Sequence, residues 1–388
     1  MDFKLNKPQL QIQKAVRDFV KGEFKKEVID ELLENHAFPV DIWRKAGDLG
    51  LIGIHFPEQY SGQGLGVFEA TLIAEELCRG DASAGGCIVG SGYGADLILR
   101  YGSDEQKETW LPKVAEGGIL SCGAFTEPGL GNDLSRVETI AEKDCGEWVI
   151  NGTKTFVLNG GHYSGFYIVL CKTGTGPAAS PSDRKLSTIL VPADGDGITV
   201  GDIGKRIGGD LMSMATVSFD QVRVPEANLI GKENQGLAHL MGFLDENRIV
   251  AAAQSTGIAQ GAFERSFRHV KDRVQFGRRI ADFQITRQKL ADMSTQIEAA
   301  RLLTYQAAWL SDQGRSSTKI NTMAQLQAST TAVEVCDEAI QLLGGYGYIQ
   351  EFEVERFYRE ARTADIFNGS RITRRNVIAG ELLKGKRL

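Results

Sequence analysis

The chain has 388 residues, a formal net charge of −6, and 42% hydrophobic and 24% charged residues. This is the balance of a soluble globular protein long enough for two or three packed units. It gives no bulk attraction to nucleic acid or an anionic membrane, and the longest apolar runs fall well short of the ~20 residues a spanning helix needs.

The N-terminus lacks the apolar core of a signal peptide and reads as a helix start. Residues 9–35 are expected as one helix, with Ile12, Val16, Phe19 and Val20 at helical spacing. A short helix from Val40 to Gly50 and a loop over 51–65 follow. Phe68 to Gly80 and Ser103 to Gly117 read as helices, the second capped by Ser103. Between them Asp81 to Tyr93 is so rich in small residues that it reads as a helix packed close to something bulky. From residue 119 alternating patterns take over. Asn151-Gly152 suggests a type I′ hairpin turn, and Phe166–Cys171, Leu186–Val191 and Ala215–Val224 are strand candidates. The stretch 173–185, TGTGPAASPSDRK, is a loop by composition. Long helices return at Leu237–Arg273, Gln284–Asp312 and Thr318–Leu343. The expected division is an N-terminal helical domain over 1–118, a middle β-domain over 119–232 and a C-terminal four-helix bundle over 233–388. The fold class is α+β, mostly α.

The six cysteines show no paired spacing and no two of the five histidines stand at i, i+4. Reduced thiols, a cytoplasmic location and no metal site are therefore expected. Three strings carry chemistry. Gly123 to Asp133, GAFTEPGLGND, is a turn whose glycines let backbone N–H groups approach a ligand. Arg273-Val274-Gln275-Phe276-Gly277 sets an arginine, suited to an oxyanion, beside a helix-ending glycine. Gln341 to Gly347, QLLGGYG, offers a second glycine turn.

Together, and in this order, these strings resemble the acyl-CoA dehydrogenase family over essentially the whole chain. The family signature TEPGxGSD corresponds to Thr126–Asp133, its RxxFG to Arg273–Gly277, and its QxxGGxG to Gln341–Gly347. The resemblance implies FAD bound at a dimer interface within a homotetramer, an acyl-CoA thioester as substrate and electron transfer flavoprotein as acceptor. It implies that Phe125, Thr126, Gly131 and Asn132 touch the flavin from one subunit, with Phe156, Leu158, Ser370 and Ile372 at further flavin positions. Arg273, Phe276, Gln284, Gln341 and Gly345 would reach the FAD of a neighbouring subunit. Asp245 and Arg248 match contacts to pantetheine, and Gly369 lies on the thioester wall.

The departures are specific. The family's α-proton acceptor is usually a glutamate in a YEGT string, and here that position is Asn368. The alternative glutamate, just before the arginine of an LDxER string, is here Asn247. An amide has no useful basicity at pH 7, and a general base contributes typically ~10²–10⁴-fold. Leu158 and Ile372 also replace polar flavin contacts. The small residues of 84–92 leave room for a wide acyl group. The reading that follows is an FAD oxidoreductase acting on a bulky or cyclic acyl-CoA, in one form by 1,4-dehydrogenation of a cyclic enoyl-CoA. Its displaced proton acceptor would be sought among Asp81, Cys87, Glu246 and His162, although Asp81 also reads as a helix cap. Two alternatives stay open: a lyase or decarboxylase whose leaving group replaces proton removal, and a base-less partner subunit of a hetero-oligomer.

Overall fold

The computed structural model describes residues 4–174 and 185–384. Most of the expected 173–185 loop therefore lies outside the described residues.

Among the described residues seven α-helices come first: α1 (Lys7–Glu23), α2 (Lys26–Glu34), α3 (Val40–Asp48), α4 (Val67–Gly80), α5 (Ala82–Gly90), α6 (Ala95–Tyr101) and α7 (Asp104–Ala115). The single helix expected over 9–35 is two. The chain leaves helical geometry at Phe24, whose N–H still closes on the Val20 carbonyl, and the Phe24 ring meets Phe19 edge-on at 5.9 Å. The expected small-residue helix also breaks. It stops at Gly90, the chain turns through Ser91–Gly94, and Gly94 takes φ +100°, open to glycine at little cost. The cap expected at Ser103 is present, with Gln106 completing a capping box.

Among the described residues an eight-stranded sheet follows. Along its hydrogen-bonded path lie β6 (Ile198–Asp202), β7 (Met214–Pro225), β3 (Glu147–Leu158), β2 (Ile140–Asp144), β4 (Ser164–Lys172), β5 (Leu186–Pro192) and β8 (Leu229–Ile230), while β1 (Leu120–Ala124) pairs in parallel with β4. The hairpin expected at Asn151-Gly152 is not there. Those residues lie inside β3, where the register against β7 shifts between Ile150 and Gly152. The tight turn comes earlier, at Cys145 and Gly146, both with positive φ, between the paired Asp144 and Glu147. Asn151 is instead held by Gln221, whose backbone N–H donates to its side chain at 2.8 Å.

The C-terminal bundle is built from α8 (Gly236–Asp272), α9 (Gln284–Asp312), α10 (Thr318–Leu343) and α11 (Val354–Ile366), with α12 (Arg371–Lys384) packed on α10. A short hairpin, β9 (Val274–Gln275) with β10 (Arg278–Arg279), joins α8 to α9. Helix α8 lies against α4 so closely that a Cβ added at Gly257 would meet the Glu75 carbonyl oxygen at 2.2 Å. Backbone cannot yield as a side chain can, so Gly257→Ala is expected to cost at least about 1–3 kcal/mol. Thermal unfolding checks it, and an unchanged Tm would contradict this packing. Among the described residues no helix is long and apolar enough to cross a membrane.

Candidate active site

A cleft opens between α4, α5, α8 and α11. Asn247, Val250, Gln254 and Ile258 of α8 recur at helical spacing along one wall. Gly86, Val89 and Gly90 form the small-residue wall opposite, so the glycines of α5 leave space where side chains would close it. The cavity volume is about 140 Å³, near the ~150 Å³ at which an apolar protein cavity accepts a benzene ring.

Its rim is the segment between α11 and α12. Phe367 lines the cleft, and its carbonyl accepts from Arg374 Nη2 at 2.8 Å and Gln325 Nε2 at 3.3 Å. Arg374 is 1% exposed and also donates to the Asp365 carbonyl at 3.1 Å and to Ser329 at 2.8 Å. Burial lowers its guanidinium to about 10, against the opposing pull of Asp365. This cation pins the chain so that Asn368 takes φ +56° and Gly369 φ +102°. Asparagine tolerates that left-handed geometry better than most residues. Ser370 then starts α12, its hydroxyl accepting the Thr373 N–H at 3.2 Å.

The two amides singled out by sequence are brought into contact. Asn368 Nδ2 donates to Asn247 Oδ1, and the Tyr93 hydroxyl donates to Asn368 Oδ1 at 3.0 Å. Every side chain in this chain of three is neutral. Burial pushes the Tyr93 phenol well up, so it remains a donor at any ordinary pH. Immediately after Asn247 in α8, Arg248 donates to Asp245 at 2.6 Å while its buried Nε has no partner among the described residues.

The glycine turn after β1 is sewn to β3. Lys154, fully buried, donates to Glu127 at 2.8 Å and to the Phe125 carbonyl at 3.3 Å. Glu127 also accepts from the Glu138 and Thr139 backbone N–H groups and the Thr139 hydroxyl. The Thr155 N–H donates to the Thr126 carbonyl at 2.9 Å. Beside this turn, Phe156 is 61% exposed at φ +52° and Leu158 is buried, while Ile372, on α12, is exposed. A Cβ placed on Gly131 would meet nothing within 4 Å. Arg273, Gln341 and Gly345 line a second, shallower cleft, with Gln284 at the start of α9 and Phe276 93% exposed at the tip of the β9–β10 hairpin. The Arg273 guanidinium stacks over the Tyr346 ring at 5.5 Å. Of the flavin positions expected from the sequence, Leu158 lines the first cleft and Arg273, Gln341 and Gly345 line the second.

Residues 6–118, 122–222 and 234–383 match the N-terminal, middle and C-terminal domains of acyl-CoA dehydrogenase. The chain belongs to the acyl-CoA dehydrogenase family. It is 36% identical to acryloyl-CoA reductase (NADH) of Anaerotignum propionicum, over 99% of this chain and 96% of that protein. It is 39% identical to cyclohexane-1-carbonyl-CoA dehydrogenase of Geobacter metallireducens, over 87% of each. Butyryl-CoA dehydrogenase from Megasphaera elsdenii superposes with a TM-score of 0.93 at 33% identity, covering 99% of this chain and 100% of that one. A glutaryl-CoA dehydrogenase from Mycobacterium smegmatis, 26% identical at TM-score 0.90 over 99% of this chain and 96% of its own, is solved with FADH2. This family member is an acyl-CoA dehydrogenase-type oxidoreductase, and its cofactor is FAD.

The residues present fit that group. Phe156 offers exposed apolar surface beside an open glycine turn, Ile372 offers exposed apolar surface on α12, and Arg273 offers a cation in the second cleft. Leu158, expected at a flavin position, lines the cleft wall.

The four displaced-base positions are less favourable. Asp81 caps α5 through the N–H groups of Ser83 and Ala84 and pairs with the buried Arg356 at 2.7 Å. The Cys87 thiol is pushed well up by burial. Glu246 is ion-paired with Arg100, and His162 is exposed in the turn after β3. Sequence reading passed over other polar groups on the cleft wall, namely His55, Asp96 and Glu360. No spacing could have found the first two, because 41 residues separate them and the fold alone brings them together.

Proposed function

We propose that this acyl-CoA dehydrogenase family member oxidises a bulky or cyclic acyl-CoA, one form being 1,4-dehydrogenation of a cyclic enoyl-CoA. Neither family base position takes the proton. The observation that carries this reading is the neutral Tyr93–Asn368–Asn247 chain on the wall of a ring-sized cleft.

The chain's own residues bind and orient. The backbone N–H of Asn368 meets no acceptor among the described residues and is free to donate to a thioester carbonyl. Such a donor polarises the carbonyl and acidifies C–H bonds conjugated with it. Asp245 and Arg248 hold the pantetheine, and the apolar walls exclude water. FAD, when bound, supplies the two-electron acceptor; electron transfer flavoprotein is the proposed partner that reoxidises it. Phe125, Thr126, Gly131, Asn132, Phe156, Leu158, Ser370 and Ile372 would hold it from one subunit of a homotetramer. Arg273, Phe276, Gln284, Gln341 and Gly345 would do so from the next. In a cyclic enoyl thioester the acidic position moves along the conjugated system, away from residue 368. An amide there suppresses ordinary 1,2-elimination without disturbing binding.

Anaerobic mixing of the purified flavoprotein with butyryl-CoA and with cyclohex-1-ene-1-carboxyl-CoA tests this. The cyclic thioester is expected to bleach the flavin at least about 100-fold faster, the lower bound of what a correctly placed base contributes. Equal bleaching by both would overturn the proposal.

A further inference from the structure

We propose that His55, oriented by Asp96, is the displaced proton acceptor of the acyl cleft. This rests on the function proposed above and deepens it.

The two side chains share the cleft wall with Tyr93, Asn247 and Phe367. His55 Nε2 faces Asp96 Oδ1 at 2.6 Å, and the imidazole meets the Phe56 ring edge-on at 4.9 Å. Both are partly exposed. Asp96 stands three residues beyond Tyr93, which donates to Asn368. Arg100, one turn further along α6, pairs with Glu246, the chain neighbour of Asn247. The dyad therefore shares one cleft with Tyr93 and Asn247, and α6, which carries Asp96, contacts α8, which carries Asn247.

With Nε2–H given to Asp96, the neutral ring keeps its lone pair on Nδ1. Among the described residues the hydrogen bond of the His55 ring is made by Nε2, not Nδ1. A carboxylate that fixes tautomer and orientation, then steadies the imidazolium as it forms, is how a histidine is made an efficient base. The charged groups around it agree. Burial alone would lower the His55 imidazole, but the Asp96 charge and hydrogen bond outweigh it and hold the group above its usual range. Arg100 opposes that effect and Asp312 adds to it.

The other ionisable groups on the cleft wall are poorer acceptors. Burial pushes the Tyr93 phenol and the Cys78 thiol well up. Glu360 spends one oxygen on the Ser83 hydroxyl and the Gly209 N–H, at 2.7 and 2.9 Å.

In the step, the acidified C–H bond of the bound acyl group breaks and its proton passes to His55 Nδ1. The electron pair enters the conjugated thioester as His55 holds the proton, and FAD, when bound, would supply the acceptor for the hydride lost from the other carbon, so that proton, hydride and the new double bond balance. The same imidazolium returns the proton when the reaction runs in reverse.

The test uses the holoenzyme in D₂O with cyclohex-1-ene-1-carboxyl-CoA. Deuterium entering the ring is read by mass spectrometry, and flavin bleaching by stopped flow. His55→Gln is expected to slow both about 100-fold or more with thioester affinity retained. Asp96→Asn is expected to move the acid limb of the pH–rate profile to lower pH. Activity needs neutral His55 and falls as pH drops through its raised pKa, and removing the carboxylate lowers that pKa. A merely structural pair would not move the limb, and this second variant decides the matter if His55→Gln does not fold. Wild-type exchange in His55→Gln with an unchanged profile in Asp96→Asn would overturn the inference alone, as would loss of exchange in Glu360→Gln but not in His55→Gln. A wild-type enzyme that neither exchanges nor bleaches with the cyclic thioester would overturn the proposed function as well.

Discussion

Asn368→Glu is expected to create 1,2-dehydrogenation of a saturated acyl-CoA, raising the rate of flavin bleaching by butyryl-CoA about 10²–10⁴-fold, or ~3–5 kcal/mol of barrier. The site already holds most of what a carboxylate needs. Tyr93 donates to the side chain at 368 and would continue to do so. Asn247 now accepts from Asn368, and turning its amide over would present an N–H to the new oxygen. The segment itself is pinned by Arg374 and Gln325 through the Phe367 carbonyl, so the substitution does not move the rim. One cost is backbone: Asn368 sits at φ +56°, where glutamate is less at ease by roughly 1–2 kcal/mol. A small drop in Tm is therefore expected alongside the gain. The rate is read by anaerobic stopped flow. No gain in a variant that still binds flavin and thioester would place the determinant at Phe156, Leu158 or the shape of the cleft instead.

The second large effect is structural. Lys154→Met should destabilise the protein by about 3–5 kcal/mol at neutral pH, because it leaves the Glu127 carboxylate buried without its cation. Glu127 is only 7% exposed. Burial by itself would raise its carboxyl, but Lys154, with the Thr139 and Glu138 donors, outweighs that and holds it below the usual range. A lowered carboxyl contributes stability above its unfolded pKa of about 4.3 and loses it as pH falls through the folded value. The difference between wild type and Lys154→Met should accordingly be largest at pH 7 and shrink toward pH 4, where Glu127 in the variant can protonate. Glu127→Gln added to Lys154→Met should recover part of the loss. Thermal melts of the three proteins at both pH values check this; a Lys154→Met variant as stable as wild type at pH 7 would refute it. The same lysine ties the Phe125 carbonyl to β3, so weakened retention of FAD is expected to accompany the loss.

Local signals carried much of the architecture. The helices α9 and α10 begin and end where their periodicity and flanking residues put them. Reading failed where one local preference was outbid. Asn151-Gly152 has turn chemistry, yet β3 continues through it because β7 supplies a partner on both sides of a register shift. The turn fell to Cys145-Gly146, a pair with no strong signal of its own. At residues 24 and 90–94 helical patterning ran on past the points where ring packing and glycine redirected the backbone. Within the site, the three family strings pointed to the family that the domain matches bear out, and the two asparagines were visible as departures. Their mutual hydrogen bond was not, since it joins positions 121 residues apart. The His55–Asp96 pair and the buried Arg374 were invisible for the same reason: each depends on which loop the fold lays against which helix.

Helix α8 has one further consequence. It is a single rod of 37 residues that carries Asn247 near its start and ends immediately before Arg273. The span between those two residues is about 39 Å at 1.5 Å per residue. On the proposed reading, the acyl pocket of a chain and the cradle that chain lends to its neighbour are held apart by a fixed strut. No single copy can wrap a dinucleotide by bending that strut. Retention of FAD should therefore depend on protein concentration, with dilution releasing cofactor and neighbour together.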